Sequence, residues 1–289
     1  MIQALVVGDV IDDILVAPQS EIRFDTDTPS SIGQSPGGSA ANFACWLGFA
    51  GVKVEFIGRV GAEDVSKHAK PLESFGVKAS LQQDDKLPTG SIVVLVQGES
   101  RSFLTDRGAN QNLDLNAIRD FPAVTYLSGY TLFGNFPSQD FKSLIARAKS
   151  AGSLVVLDPG SAGFIADFGV KKFLDLIDGV DLIKPSLEEG KLLTGEDRAE
   201  VIAQALGTRF PKVALTLGAA GVEVFEAGIS TRIQAIPADT IDATGAGDAF
   251  AAGLVSGILV GESLAVAAQR GVKLGAIAVT LKGGRPKSR

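Results

Sequence analysis

Eight short apolar runs recur along the chain and constrain what it can become: Ala4–Gly8, Val54–Ile57, Ile92–Val96, Val124–Leu127, Leu154–Leu157, Asp181–Ile183, Val213–Leu217 and Val222–Phe225. Several are continuous and β-branched, as expected of strands buried on both faces. Stretches with helical spacing lie between them: Ser39–Ala50, Val65–Phe75, Ser138–Ala151, Glu188–Thr194, Arg198–Thr208, Asp248–Leu259 and Ser263–Leu281. Phe43, Leu47 and Ala50 share one helical face, as do Phe141, Leu144, Ile145 and Ala148. Ser138 reads as an N-cap, and Gly152 as the end of that helix. From the run at Val124 onward strand and helix alternate, which predicts an α/β fold with a mostly parallel central sheet. Ile11–Ile32 and Leu87–Thr105 break the rhythm with strand-like patterns, and the latter reads as a hairpin about Gly98. The expectation is a small β-element added to the sheet as a lid, over segments of approximately 11–35 and 87–107. No linker divides the chain, so 1–289 reads as one domain.

Composition excludes several classes. One His and one Cys cannot supply the four ligands of a structural zinc site or close an internal disulfide. A net charge of −6 and a pI near 5 argue against a nucleic-acid surface. The only basic cluster, Lys282–Arg289, reads as a solvated tail. No stretch reads as a signal peptide or an apolar span, so a cytoplasmic protein without membrane contact is expected. Glycine is 34 of 289 residues without a period, which implies tight turns and close backbone approaches.

Chemistry concentrates in three places. Asp242-Ala243-Thr244-Gly245-Ala246-Gly247-Asp248 runs straight into an Ala-rich helix. Small residues there let backbone N–H groups converge, and the helix N-terminus adds its dipole, which makes an anion site suited to phosphate. Asp248 is expected to stay ionised in that field and to accept the proton of an attacking hydroxyl. Gly37-Gly38-Ser39-Ala40-Ala41-Asn42 opens a second helix, where the Asn42 amide can meet sugar hydroxyls. Gly8-Asp9-Val10-Ile11-Asp12-Asp13 puts carboxylates past a strand end. Asp12 and Asp13 point oppositely if extended, so only one should face a ligand.

No GxxxxGK[ST] or post-strand GxGxxG is present. Gly33-Gln34-Ser35-Pro36-Gly37 fits the GxSxG of a hydrolase elbow, but Pro36 has no N–H for an oxyanion hole. His68, the only base available to Ser35, reads as an exposed helix residue. Cys45 and Trp46 read as core.

With both GGSAAN and DATGAGDAFAAGL in place at opposite ends, the chain resembles the ribokinase-like (PfkB) carbohydrate kinases over essentially its whole length. The resemblance implies a Rossmann-like three-layer sandwich with a β-sheet lid, and ATP-dependent phosphorylation of a hydroxyl, expected to be a primary alcohol, on a sugar. The alternatives are a nucleoside kinase of the same fold and, more remotely, a non-catalytic sugar or nucleoside binder. A larger apolar pocket near the lid would favour a nucleobase. It implies Asp248 as base and Gly245, Ala246 and Gly247 as anion hole. It places Asp13, Gly37, Gly38, Asn42, Arg107 and Asn110 at the substrate. It places Lys184, Ser186, Thr216, Gly218, Gly221 and Gly275 at the nucleotide, with the segment Ala268 to Gly275 flanking adenine. Glu189 would organise magnesium through water, although Ser186 stands where the family has Asn. The carbonyls of Asp242 and Thr244 match a potassium loop of some members, and the sequence leaves potassium open. Lid edges are candidate homodimer surfaces.

Overall fold

The structure, a computed structural model, describes residues 1–97 and 100–287. The expected hairpin turn at Gly98 and the last two residues of the basic tail lie outside the described residues. The chain runs β1 (Ala4–Val7), β2 (Ile11–Pro18), β3 (Ser30–Gly37), α1 (Ser39–Phe49), β4 (Val54–Gly61), α2 (Val65–Glu73), β5 (Lys78–Asp84), β6 (Thr89–Gln97) and β7 (Ser100–Gly108). It continues through β8 (Val124–Ser128), α3 (Ser138–Ser150), β9 (Leu154–Asp158), α4 (Ala162–Phe168), α5 (Val170–Leu176), β10 (Leu182–Ile183), α6 (Leu187–Thr194) and α7 (Ala199–Gly207). The last elements are β11 (Lys212–Thr216), β12 (Val222–Glu226), β13 (Ile229–Ile233), α8 (Ala246–Leu259) and α9 (Leu264–Ala278).

Nine strands form the main sheet in the order β13-β12-β11-β10-β9-β8-β1-β4-β5. Pairing is parallel except where β12 meets β11 and β13. Period-2 alternation divides the core along β1. Ala4 and Val6 join a cluster with Phe43, Trp46, Tyr126 and Leu254, while Leu5 and Val7 join one with Phe141, Phe173 and Phe210. Helices therefore cover both faces, and each fully buried aliphatic contributes about 1.5–3 kcal/mol of hydrophobic stabilisation. The α/β fold with a mostly parallel sheet expected from the apolar runs, and the sandwich that the resemblance implies, are the fold observed. A separate four-stranded sheet, β3-β2-β6-β7, is built from the two segments that break the rhythm. Its pairing is antiparallel at β2–β3 and β6–β7 and parallel at β2–β6.

Several local expectations change. The N-cap of α3 is Pro137, and Ser138 is the first helical residue without a side-chain cap. His68 is fully buried, because it lies one turn from Leu72 on the inward face of α2. Ser35 lies inside β3, paired with Asp13, and not on the strand-to-helix turn that a nucleophile elbow requires. Strands β5 and β13 and the seven-residue helices α4 and α5 are additions, too short or too polar to show a clear period. No helix among the described residues is long and apolar enough to cross a membrane.

Helix α8 is buried at every residue from Asp248 to Gly257, so neighbours pack on all its sides. It packs on α9 through glycines: a Cβ on Gly253 would stand 2.5 Å from the Arg270 carbonyl oxygen and 2.7 Å from Gly271 Cα. Gly253→Ala is expected to push the two helices apart and cost about 1–3 kcal/mol. Urea denaturation measures this, and an unchanged midpoint would refute the packing argument.

Candidate active site

Two cavities open on opposite sides of the turn that starts α8. One, of about 670 Å³, lies between the smaller sheet and the ends of the main strands. Asp13, Gly38, Asn42, Arg107, Asn110, Asp242, Thr244, Gly245 and Asp248 are among its lining residues. The other, of about 650 Å³, has Thr216, Gly218, Gly221, Ala246, Gly247 and Gly275 in its wall. Residues far apart in sequence thus meet on either side of one Gly-Ala-Gly-Asp turn. Lys184, Ser186, Glu189 and Gly37 line neither cavity. Ala268 is buried in the core, and Val272, Gly275, Ala276 and Val279 supply the α9 part of the wall.

The turn is built from backbone proximity. Gly245 is left-handed (φ 75°), and a Cβ on it would stand 2.4 Å from the Gly284 carbonyl oxygen. Asp242 closes the loop by accepting from the Thr244 amide and hydroxyl, and its other oxygen accepts from Gly283 N–H. The amides of Gly247 and Asp248 open α8, where no preceding helical turn can engage them.

Asp248 departs from the expectation. Its carboxyl is pushed up to about 7, first by burial and then by Asp158, with Asp9 adding to the rise. Lys184 and a 2.7 Å hydrogen bond from Ser39 Oγ pull it down without cancelling the rise. Burial and the neighbouring carboxylates thus leave the group poised near neutrality, the range in which a general base works. Asp13 is likewise raised, to about 6, by burial, against the opposing Arg285 charge.

The glycines of GGSAAN meet protein atoms. A Cβ on Gly38 (φ 94°) would fall 2.6 Å from the Asp9 carbonyl oxygen, and one on Gly37 would strike the Asp13 carboxylate. The Asp9 carboxylate holds the start of α1 by accepting from the Ser39 N–H at 2.9 Å, and it accepts from the Ser128 hydroxyl at 3.0 Å. Two amides expected at substrate are engaged internally. Asn110 brackets the backbone of Val10, accepting from its N–H and donating to its C=O. Asn42 Oδ1 accepts from Arg285 Nε. Arg107 differs: its Nη1 is buried and has no hydrogen-bond partner among the described residues.

Below the turn, Lys184 Nζ meets Asp158 Oδ2 at 2.5 Å, both side chains being buried. A Cβ on Gly247 would lie 3.4 Å from that ammonium. Asp158 also accepts from the Tyr126 hydroxyl. Burial and Asp158 raise the Glu189 carboxyl, whose Oε2 accepts from Ser186 N–H while Ser186 Oγ accepts from Glu189 N–H. Ser186 is thus the N-cap of a capping box.

Sequence reasoning named Asp9 and Ser39 within their motifs without giving either a role, and passed over Asp158 and Arg285. Asp9 and Asp158 had a signal, since each follows or ends a VVxD run at the carboxyl end of a parallel strand. Arg285 had none, sitting in a tail read as solvated. It is buried, and it donates to Asn42 and, at 2.8 Å, to the Gly37 carbonyl.

A family model described as pfkB family carbohydrate kinase matches residues 1–289. A ribokinase of Haemophilus influenzae is 28% identical over 282 residues, covering 94% of this chain and 90% of that protein. An adenosine kinase of Dictyostelium discoideum is 28% identical over 263 residues, covering 82% of this chain and 76% of that protein. The structure of an Arabidopsis thaliana ribokinase complexed with ribose and ATP aligns with a TM-score of 0.80 at 25% identity, covering 98% of this chain and 94% of that one. The likeness therefore extends over both sheets and both cavities.

Arg285→Ala would leave Asn42 Oδ1 and the Gly37 carbonyl unpaired in a buried place. The expected loss is about 1.5–3 kcal/mol, typical of a hydrogen bond to a charged group. Urea denaturation checks it, and a loss within error would place Arg285 outside the site's framework.

Proposed function

The chain belongs to the pfkB family of carbohydrate kinases, and on that premise we propose that it transfers the terminal phosphoryl group of ATP to a hydroxyl, a primary alcohol, of a sugar or sugar derivative. One observation carries this reading: Asp248 faces the cavity under the smaller sheet, while Ala246 and Gly247 of the same turn face the other cavity. An acceptor hydroxyl at Asp248 and a phosphoryl group at the α8 amides would lie in line across one turn. Asp248 takes the hydroxyl proton, the freed oxygen attacks phosphorus, and the bond to the departing ADP breaks. The α8 amides stabilise the charge that develops, with the Lys184 ammonium lying behind Gly247. The whole chain acts as one kinase domain with the smaller sheet as its lid.

The second cavity fits the base of ATP, because apart from Thr216 and Thr240 its walls come from Gly, Ala, Pro237, aliphatic residues and Phe250. Asp158 and Glu189 fit magnesium: both are buried carboxylates, and the Asp158 charge helps raise the Glu189 carboxyl. An all-oxygen donor set suits that ion, which keeps several of its waters and neutralises phosphate charge. The carbonyls of Asp242 and Thr244 are where potassium would sit. Stimulation of turnover by K⁺ over Na⁺ tests this placement.

In the acceptor cavity Asp13 binds hydroxyls and the unpartnered Arg107 Nη1 takes a ligand oxygen. Gly38, Asn42 and Asn110 hold the wall in place. A nucleoside is the second reading, favoured by the apolar face that Ile11, Leu15, Ile92, Val94, Val96 and Phe103 turn to this cavity. A phosphorylation screen with ATP and magnesium across ketoses, aldoses, sugar acids, sugar phosphates and nucleosides separates the two. No turnover on any of them would leave only binding. Ile32 and Leu104 are exposed on the face of the smaller sheet turned away from the cavity, and a homodimer through this outer face would cover them. Light scattering of the purified protein tests that assembly. The protein is expected to work in the cytoplasm.

Because the base must be ionised, kcat/KM is expected to fall about tenfold per pH unit below ~7 and to level off above it. Asp248→Asn should lower kcat by on the order of 10²–10⁴. Near-normal turnover in that variant would exclude Asp248 as base. Stability runs the other way. A carboxyl raised from 3.8 to about 7 supports the fold below pH 4, and this support is lost as pH rises through 7. The Asn variant is therefore expected to gain on the wild type between pH 5 and 8 in urea denaturation.

A further inference from the structure

A second cluster of metal-ligand side chains lies outside both cavities, where the smaller sheet meets the body. Asp12 comes from β2, Asp64 from the turn at Ala62–Asp64, and His68 from α2. One ligand atom from each lies within 4.8 Å of the others. His68 is fully buried, and neither ring nitrogen has a hydrogen-bond partner among the described residues. Its Nε2 stands 3.5 Å from Asp12 Oδ1. That separation is long for a hydrogen bond. It matches the ~3.4 Å edge of a tetrahedron whose ligands sit at about 2.1 Å from the metal.

We propose that Asp12, Asp64 and His68 form a divalent-cation site that takes a borderline ion such as Zn²⁺ and ties strand β2 to helix α2. One imidazole and two carboxylates favour zinc over calcium or magnesium, which prefer oxygen alone. The carboxylates are partly exposed and the imidazole lies behind them, so the fourth position faces solvent. The Asp64 carboxylate is already oriented, since its Oδ2 accepts from the Thr89 hydroxyl at 2.6 Å and that oxygen accepts from Gly61 N–H. Such outer contacts are what hold a ligand in place. Lys67 Nζ lies 2.5 Å from Asp12 Oδ2 and would swing away, its side chain being half exposed. The site lies on the reverse of the strand that presents Asp13 to the acceptor cavity.

The test uses the full chain, stripped with chelator, without nucleotide, titrated with ZnCl₂ by calorimetry and followed by thermal unfolding. One saturable site and a rise in Tm are expected. Asp64→Asn and His68→Gln should each weaken binding about tenfold or more, at least the effect of losing an outer-shell partner. Asp64→Asn keeps an acceptor for Thr89, so it remains informative if the buried His68 variant fails to fold. Asp248→Asn should leave the zinc site intact. No saturable binding, wild-type affinity in Asp64→Asn, or loss of binding in Asp248→Asn would overturn the proposal.

Discussion

The structure depends on burying several carboxylates close together with too few cations to neutralise them. Asp9 follows β1, Asp158 ends β9, and Asp248 enters on the first turn of α8. All three are at least nine-tenths buried, and Lys184 is the cation paired directly with one of them. Parallel strands force this meeting, because their carboxyl ends lie along one edge of the sheet. Desolvation and mutual repulsion then bring Asp248 to the middle of the physiological range, where the proposed base has to titrate. The field of a helix N-terminus is too weak to reverse this. It contributes at most about 2 kcal/mol, whereas burial of an unpaired carboxylate costs several.

The same edge explains why glycine is placed as it is. At Gly38 and Gly245 the backbone passes so close to another segment that no Cβ fits, and both adopt positive φ. The neighbouring atoms belong to Val10, Asp9 and Gly284, not to an empty cavity. These glycines let the chain carry its carboxylates and amides into one small volume. Their contribution to ligand binding is indirect, through the position of what they allow to approach.

The sheet was largely legible because continuous apolar runs report burial on both faces, as Ala4–Val7 does with four buried residues in a row. The smaller sheet was legible from its alternation. Helices α4 and α5 were not, since seven residues hold too few turns for a period to emerge. In the site, Asp248 and its glycines stood out because glycine beside a helix carries an entropic cost that close backbone approach offsets. Asn42 and Asn110 were read by their chemistry alone, and an amide that suits a sugar hydroxyl suits a backbone or a guanidinium equally well. His68 shows the same limit from the other side: its neighbours in sequence are polar, but Leu72 one turn away marks the buried face.

Arg285 was illegible for a stronger reason. Its partners, Asn42 and Gly37, are more than two hundred residues distant, and no local pattern encodes a contact of that range. The contact nevertheless bears on both motifs at once. Gly284, its neighbour, packs on Gly245 and accepts from the Trp46 indole, while Gly283 donates to Asp242. Segment 283–285 therefore wedges between the two glycine-rich turns, and neither has its final shape without it. Loop-closure entropy grows slowly with length but must be met before such a contact rewards it. The acceptor side of the cavity therefore depends on a segment at the far end of the chain, even though most of its polar residues are supplied by the first 110 residues.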